Sequence, residues 1–218
     1  MESILLHCCC APCSTQPIEL LRAQGYQLAL WYGNLNIAPK SEYQRRRDCL
    51  MSYATAIGLT VEAGEYRPHI WSEAIGERYG VFPLIEGADD YEQNLASRHD
   101  RCRACYRQRF GDLADKAVER GFAAISTTLS VSPWQFTDIL AEELAAVASE
   151  RGLQAHFEDW RAYYQISQQV AMEKGFYFQN YCGCAYSREE SRLEREALRQ
   201  KLREAKRKRR ATKPAQKD

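Results

Sequence analysis

The sequence predicts an α/β protein, a mostly parallel sheet flanked by helices, followed by a basic C-terminal helix and tail. Three observations lead there. Short apolar runs alternate with segments of helical periodicity. Glycines at 25, 58, 121 and 152 close the helical segments. Cysteines and threonines cluster where two of the apolar runs end, and strand carboxyl ends are where parallel sheets place their sites.

In order, Ile4 to Cys9 reads as a buried strand. Ser14 caps a helix to about Gln24, and Tyr26 to Tyr32 is a second strand. Ser41-x-x-Gln44 is a capping box that opens a helix ending at Gly58. Leu59 to Val61 begins a third strand, and Trp71 to Arg78 reads as helical. After an acidic, turn-rich stretch from Glu86 to Glu92, a helix is expected from about Arg101 to Arg120. Ala123 to Leu129 is a fourth strand, Phe136 to Glu150 a helix, Leu153 to Phe157 a fifth strand and Tyr163 to Lys174 a helix. Ser187-x-x-Glu190 opens a long charged helix. The expected division is a metal-binding α/β domain over 1–187 and a charged helix with basic tail over 188–218.

Of the 218 residues, 45% are hydrophobic and 11% aromatic, enough for a packed core and too many for a disordered chain. No apolar run approaches the roughly 20 residues of a membrane span, and the first residues lack a signal peptide's basic start. A cytoplasmic protein is expected. The total charge is +1, yet the last twenty residues carry a net +8, which leaves −7 on the rest. An acidic body with a basic tail points to a polyanionic partner.

Nine cysteines stand at 8, 9, 10, 13, 49, 102, 105, 182 and 184. Their number is odd, and a reducing cytoplasm does not keep structural disulfides. Seven form three clusters: Cys9, Cys10 and Cys13; Cys102 and Cys105; Cys182 and Cys184. The i, i+3 spacing puts Cys102 and Cys105 on one helix face, and a helix N-terminus there would favour thiolate. Gly183 lets both flanking sulfurs face one centre. Cys9 and Cys10 face apart in a regular strand and converge only beyond its end. A zinc or a [4Fe–4S] cluster takes four ligands, so seven suggest one cluster plus a three-cysteine metal that acts as a Lewis acid. Two zinc knuckles and a redox dithiol are the competing readings. Cys8 and Cys49 lie outside the scheme, Cys49 as a small buried hydrophobe.

Leu6-His7-Cys8-Cys9-Cys10-Ala11-Pro12-Cys13-Ser14 resembles the opening motif of the cobalamin-independent epoxyqueuosine reductases (QueH). The resemblance continues through Asn34-x-Asn36-Ile37, Glu42-Tyr43-x-x-Arg46-Arg47, Arg101-Cys102-x-x-Cys105-Tyr106-x-x-Arg109 and Ser126-Thr127-Thr128-Leu129-x-x-Ser132-Pro133. It ends with Asp159-Trp160-Arg161 and Gln179-Asn180-Tyr181-Cys182-Gly183-Cys184. Leu35 and Cys8 depart from the pattern at positions that are not presumed ligands, and the basic tail lies outside it.

The resemblance implies a fold similar to adenine nucleotide α-hydrolases and reduction of epoxyqueuosine at the tRNA wobble position to queuosine. It also implies a [4Fe–4S] cluster beside a second mononuclear metal, iron or zinc. Cluster ligands would come from Cys9, Cys10, Cys102, Cys105, Cys182 and Cys184, and Cys13 completes the seven metal ligands, with their division left open. His7 and Asp159 are the candidate proton donors. Tyr106 and Tyr181 are expected to line the pocket, and Arg47, Arg101 and Arg109 to contact RNA phosphate. Without a Gly-x-Gly-x-x-Gly fingerprint, electrons are expected from a ferredoxin- or flavodoxin-type partner. A sulfur-inserting tRNA enzyme of related fold would carry a Ser-Gly-Gly-x-Asp-Ser loop where Cys-Cys-Ala-Pro-Cys stands. A zinc-binding RNA module without activity is the other alternative.

Overall fold

The computed structural model describes residues 2–211; Met1 and residues 212–218 lie outside it, and with them the end of the basic tail. Five strands form one sheet in the order β3-β2-β1-β4-β5, every pairing parallel. They are β1 (Ser3–His7), β2 (Gln27–Tyr32), β3 (Val61–Ala63), β4 (Ala124–Thr127) and β5 (Gln154–Ala155). The helices are α1 (Ala11–Ala23), α2 (Lys40–Ala56), α3 (Pro68–Trp71), α4 (Tyr91–Arg120), α5 (Thr137–Glu150), α6 (Tyr164–Glu173) and α7 (Ala185–Ala211). Helix α1 packs on α2 and α6, and α4 on α5, so the expected α/β sandwich is present. No described helix is long and apolar enough to cross a membrane.

Apolar side chains from both layers meet on the sheet. Ile4, Leu6, Leu30 and Ile125 are fully buried beside Phe110 and Leu113 of α4. Leaving β1, the chain winds one way through β2 and β3, and β4 and β5 extend the sheet the other way. The crevice at a parallel sheet's topological switch point therefore opens beyond the carboxyl ends of β1 and β4. His7 and Thr127 are register partners there.

Element existence follows the sequence reading, but several boundaries differ. Strand β1 ends at His7, because Cys10 already serves as the extended N-cap of α1 (φ −173°). Ser14, the expected cap, sits inside the first turn, where its hydroxyl donates to the Cys10 carbonyl at 2.7 Å. Neither capping box caps: α2 begins at Lys40 without a side-chain cap and α7 at Ala185, two residues before Ser187. The segment expected as one helix from Trp71 divides into α3 and a π-turn over Ser72–Gly76. Helix α4 starts ten residues earlier than expected. Cys102 and Cys105 are thus mid-helix, and the thiolate-favouring field of a helix N-terminus does not reach them.

Candidate metal centre

The first sulfur group is made by the passage from β1 to α1. Cys8 still extends the ladder, its N–H donating to the Trp31 carbonyl at 2.9 Å. Beyond it the pleat is lost, which frees Cys9 and Cys10 to turn inward. Cys9, Cys10 and Cys13 place their sulfurs within 4.8 Å of one another, all buried, with Cys9 and Cys10 Sγ 3.7 Å apart. A tetrahedral metal with bonds of about 2.3 Å to sulfur has an edge of roughly 3.8 Å, so the spacing suits one metal ion. Hydrogen bonds from the Cys10 and Cys13 thiols hold Cys9 well below the usual thiol range, while burial pushes Cys10 up and the hydrogen bonds with Cys10 and Cys9 push Cys13 up. The N-terminus of α1 faces the same sulfurs and favours negative charge.

The second group joins α4 to the loop before α7. Cys102 and Cys105 are one turn apart on α4, and Cys182 and Cys184 flank Gly183. Cys102 interacts electrostatically with the other three, and Cys105 and Cys184 are buried in one cluster with Leu35, Trp71 and Ile75. Burial raises the Cys102 and Cys105 thiols and takes Cys184 to about 11. Thiolates there therefore call for a bound cation. Two donors already face these sulfurs: Trp71 Nε1 at 3.2 Å from Cys105 and the Ser187 N–H at 3.3 Å from Cys184. Gly183 is required by its backbone and its neighbours. Its φ is +145°, and a Cβ would stand 2.9 Å from Ile37 Cγ1.

Both groups reach one cavity of about 470 Å³, lined by Cys9, Cys13 and Cys182 together with Gln135, Gln179 and Trp134. Gln179 Nε2 donates to Cys10 Sγ at 2.8 Å. Gln135 Oε1 accepts from Tyr106 at 2.8 Å and lies 3.9 Å from Cys182 Sγ. Several buried polar atoms nearby lack protein partners: Asn36 Nδ2 and Oδ1, Gln179 Oε1, and Arg109 Nε and Nη1. Unsatisfied groups are rare in native interiors. Their gathering around seven free, clustered thiols fits a bound inorganic centre.

His7 is fully buried. Arg109 donates to its Nε2 at 3.3 Å, which leaves the proton on Nδ1, directed at Thr127 Oγ1 at 3.1 Å. Burial, reinforced by Arg109, lowers its pKa to about 3. Asp159, its side chain 41% exposed, pairs with Arg161 at 2.5 Å, which lowers its carboxyl further. Arg101 is buried in a two-pronged pair with Glu190, at 2.5 and 3.0 Å. Arg47 is half-buried and pairs with Asp48. Tyr106 is 2% exposed, and Tyr181 lines the cavity with its hydroxyl on the Ala38 carbonyl. Cys8 is buried, pushed up to about 12 and turned to the Leu6 carbonyl, apart from both groups.

Arg46, Gln135, Gln179 and Trp71 gained no role from the sequence. Arg46 donates to the carbonyls of Tyr181 and Cys182 at 3.1 and 2.8 Å while paired with Glu42. Its place in the Glu42-Tyr43-x-x-Arg46-Arg47 motif was the available signal.

A sequence model of the family described as epoxyqueuosine reductase QueH matches residues 4–190. An epoxyqueuosine reductase QueH of Thermotoga maritima is 32% identical over 189 residues, which cover 86% of this chain and 91% of that protein. Its namesake in Streptococcus pyogenes is 31% identical over 192 residues, 85% and 70% of the two chains. A third, from Dehalococcoides mccartyi, is 29% identical over 184 residues, 84% and 91%.

Proposed function

This chain belongs to the QueH family of epoxyqueuosine reductases, and from that premise we propose that it reduces the epoxide of epoxyqueuosine in tRNA to the alkene of queuosine. The epoxide takes up two electrons and two protons, and its oxygen leaves as water. What supports this reading beyond the family match is a cavity lined by Cys9, Cys13 and Cys182: the first two belong to the buried group with Cys10, and the third interacts electrostatically with Cys102, Cys105 and Cys184.

We assign a [4Fe–4S] cluster to Cys102, Cys105, Cys182 and Cys184, and a single iron or zinc to Cys9, Cys10 and Cys13. When bound, the cluster would supply single electrons and the lone metal a Lewis acid for the departing oxygen. The chain's residues do the rest. Trp71, Ser187 and Gln179 donate hydrogen bonds to three of the sulfurs and thereby orient them. Arg46 fixes the backbone of the Cys182 turn. The cavity wall of Leu129, Phe178 and Tyr164 excludes bulk water from the reacting carbons. Asp159 and its Arg161 partner stand outside the lining of this cavity. His7, held neutral, supports the first sulfur group rather than delivering a proton. Both protons come from solvent through the polar lining, where Ser132 and Tyr164 carry hydroxyls. Electrons come from a ferredoxin- or flavodoxin-type protein.

The test is anaerobic reconstitution with iron and sulfide, then incubation with dithionite and tRNA carrying the epoxide, without ATP. Mass spectrometry of the digested tRNA should show loss of one oxygen from the modified nucleoside. A protein that takes up only zinc, remains colourless and leaves the epoxide intact would be an RNA-binding zinc module instead.

A further inference from the structure

We propose that Arg109 is the buried counter-charge shared by the two sulfur groups and that it raises the reduction potential of the centre they hold. The proposal rests on the metal assignment above and deepens it.

Among the described residues, three arginines are almost fully buried: Arg46, Arg101 and Arg109. Two have carboxylates in contact, Glu42 at 2.7 Å from Arg46 and Glu190 at 2.5 Å from Arg101. Arg109, 1% exposed, makes none of the described ion pairs. Its Nη2 donates to Asn34 Oδ1 at 2.6 Å and to His7 Nε2 at 3.3 Å, and both partners are neutral. Its Nε and Nη1 have no hydrogen-bond partner. A permanently charged guanidinium without a counter-ion is costly to bury.

The counter-charge is supplied by sulfur. Arg109 lies one helical turn beyond Cys105 on α4, and it contacts His7, two residues before Cys9. Its field favours thiolate at both Cys105 and Cys9, one from each group. A fixed positive charge at that junction stabilises the centre more when it holds an extra electron than when it does not. Arg109 therefore favours the reduced form and lets both groups accumulate negative charge in a dry interior. It is a positioning residue, since it acts on the sulfurs and not on the nucleotide. The phosphate contact expected of it from the sequence is precluded by this burial.

The experiment compares wild type with Arg109→Met, Arg109→Gln and Arg109→Lys. Each is reconstituted anaerobically with iron and sulfide, assayed for both, and titrated potentiometrically with electron paramagnetic resonance as readout. Met and Gln should load like wild type, yet hold at least tenfold less reduced centre at a fixed potential, a shift of about 59 mV for one electron. Lys should restore most of it. If Met and Gln fail to load while Lys loads, the requirement for charge stands. An unchanged potential in loaded Met or Gln overturns the proposal. So does failure of all three variants to load, because Arg109 would then serve shape and not charge. A wild-type protein that takes up no iron and sulfide sinks the metal assignment itself, a distinct failure.

Discussion

Trp134 shows how burial redistributes roles among aromatics that look alike in sequence. Tyr106 adjoins Cys105, which in sequence points it at the pocket wall, but its ring is sealed in the core with its hydroxyl on Gln135. Trp134 follows a motif proline, is 72% exposed and lines the cavity edge-on to Tyr164, ring centres 5.4 Å apart. An exposed indole beside a nucleotide-sized cavity suits stacking of a splayed base. Replacing Trp134 with Ala should weaken binding of an anticodon stem-loop by about 1–3 kcal/mol, and Phe should keep most of the affinity. Fluorescence anisotropy of labelled RNA measures both. Equal affinity for the Ala variant would remove Trp134 from the RNA surface. Gly183 is the opposite case, a residue whose role was legible. Its flanking cysteines announced a tight turn, and the structure adds the reason, Ile37 packed where a Cβ would go. Gly183→Ala should cost about 1–3 kcal/mol of strain and lower the iron and sulfide retained per chain. Full retention at unchanged melting temperature would contradict that.

At the scale of elements, periodicity and glycine stops were enough to read the existence and order of the long helices and all five strands. Starts were harder, because they depend on distant contacts. Helix α4 begins at Tyr91 without a side-chain cap, although Asp90 and Gln93 stand at capping-box spacing at its start. Its first ten residues are tied instead to α7. Glu190 of α7 accepts from Arg98 and Arg101 of α4 and from the Phe82 N–H of the loop before α4. Glu194 accepts from Arg98 and the Leu84 N–H. Glu190→Gln leaves the Arg101 charge buried without its partner, which should cost about 3–5 kcal/mol and loosen α7 from α4. Thermal denaturation and faster trypsin cleavage after residue 188 would report it. A melting temperature within about 1 °C of wild type would show that the pair is not the clasp. Asp112 on the same helix tests the opposite sign. Desolvation raises its carboxyl above the usual range despite Arg67. Between the unfolded and folded values the native state binds the extra proton, so stability falls as pH rises through that window and stays lower above it. Asp112→Asn should therefore raise the melting temperature at pH 7 and leave it unchanged at pH 3. A rise of equal size at both would assign the effect to packing.

Across the whole molecule, the sheet order could not be read from the alternation of strands and helices, and it is the order that makes the site. With β1 and β4 adjacent, Cys9 and Thr128 meet across the switch point, the Cys9 N–H 3.4 Å from Thr128 Oγ1. The loop before α7, about 170 residues later, closes over them through Gln179 and Cys10. The charge split, legible from the start, acquires a geometry in this arrangement. Helix α7 lines the cavity with Ser187, Ser191 and Arg195 and runs on to Ala211. The basic sequence from Lys206 thus extends from a helix that begins at the sulfur centre. A folded RNA whose modified base enters the cavity would meet that helix with its flanking phosphates. Phosphate contacts release counter-ions, so each one lost should flatten the slope of log affinity against log salt by roughly 0.7–0.9. Deleting residues 205–218 removes seven Lys and Arg and leaves every clustered cysteine in place. The truncated protein should bind tRNA more weakly at low salt, converge with wild type as salt rises, and reconstitute with the same iron and sulfide content. Parallel salt curves for the two proteins would show that the tail takes no part in holding RNA.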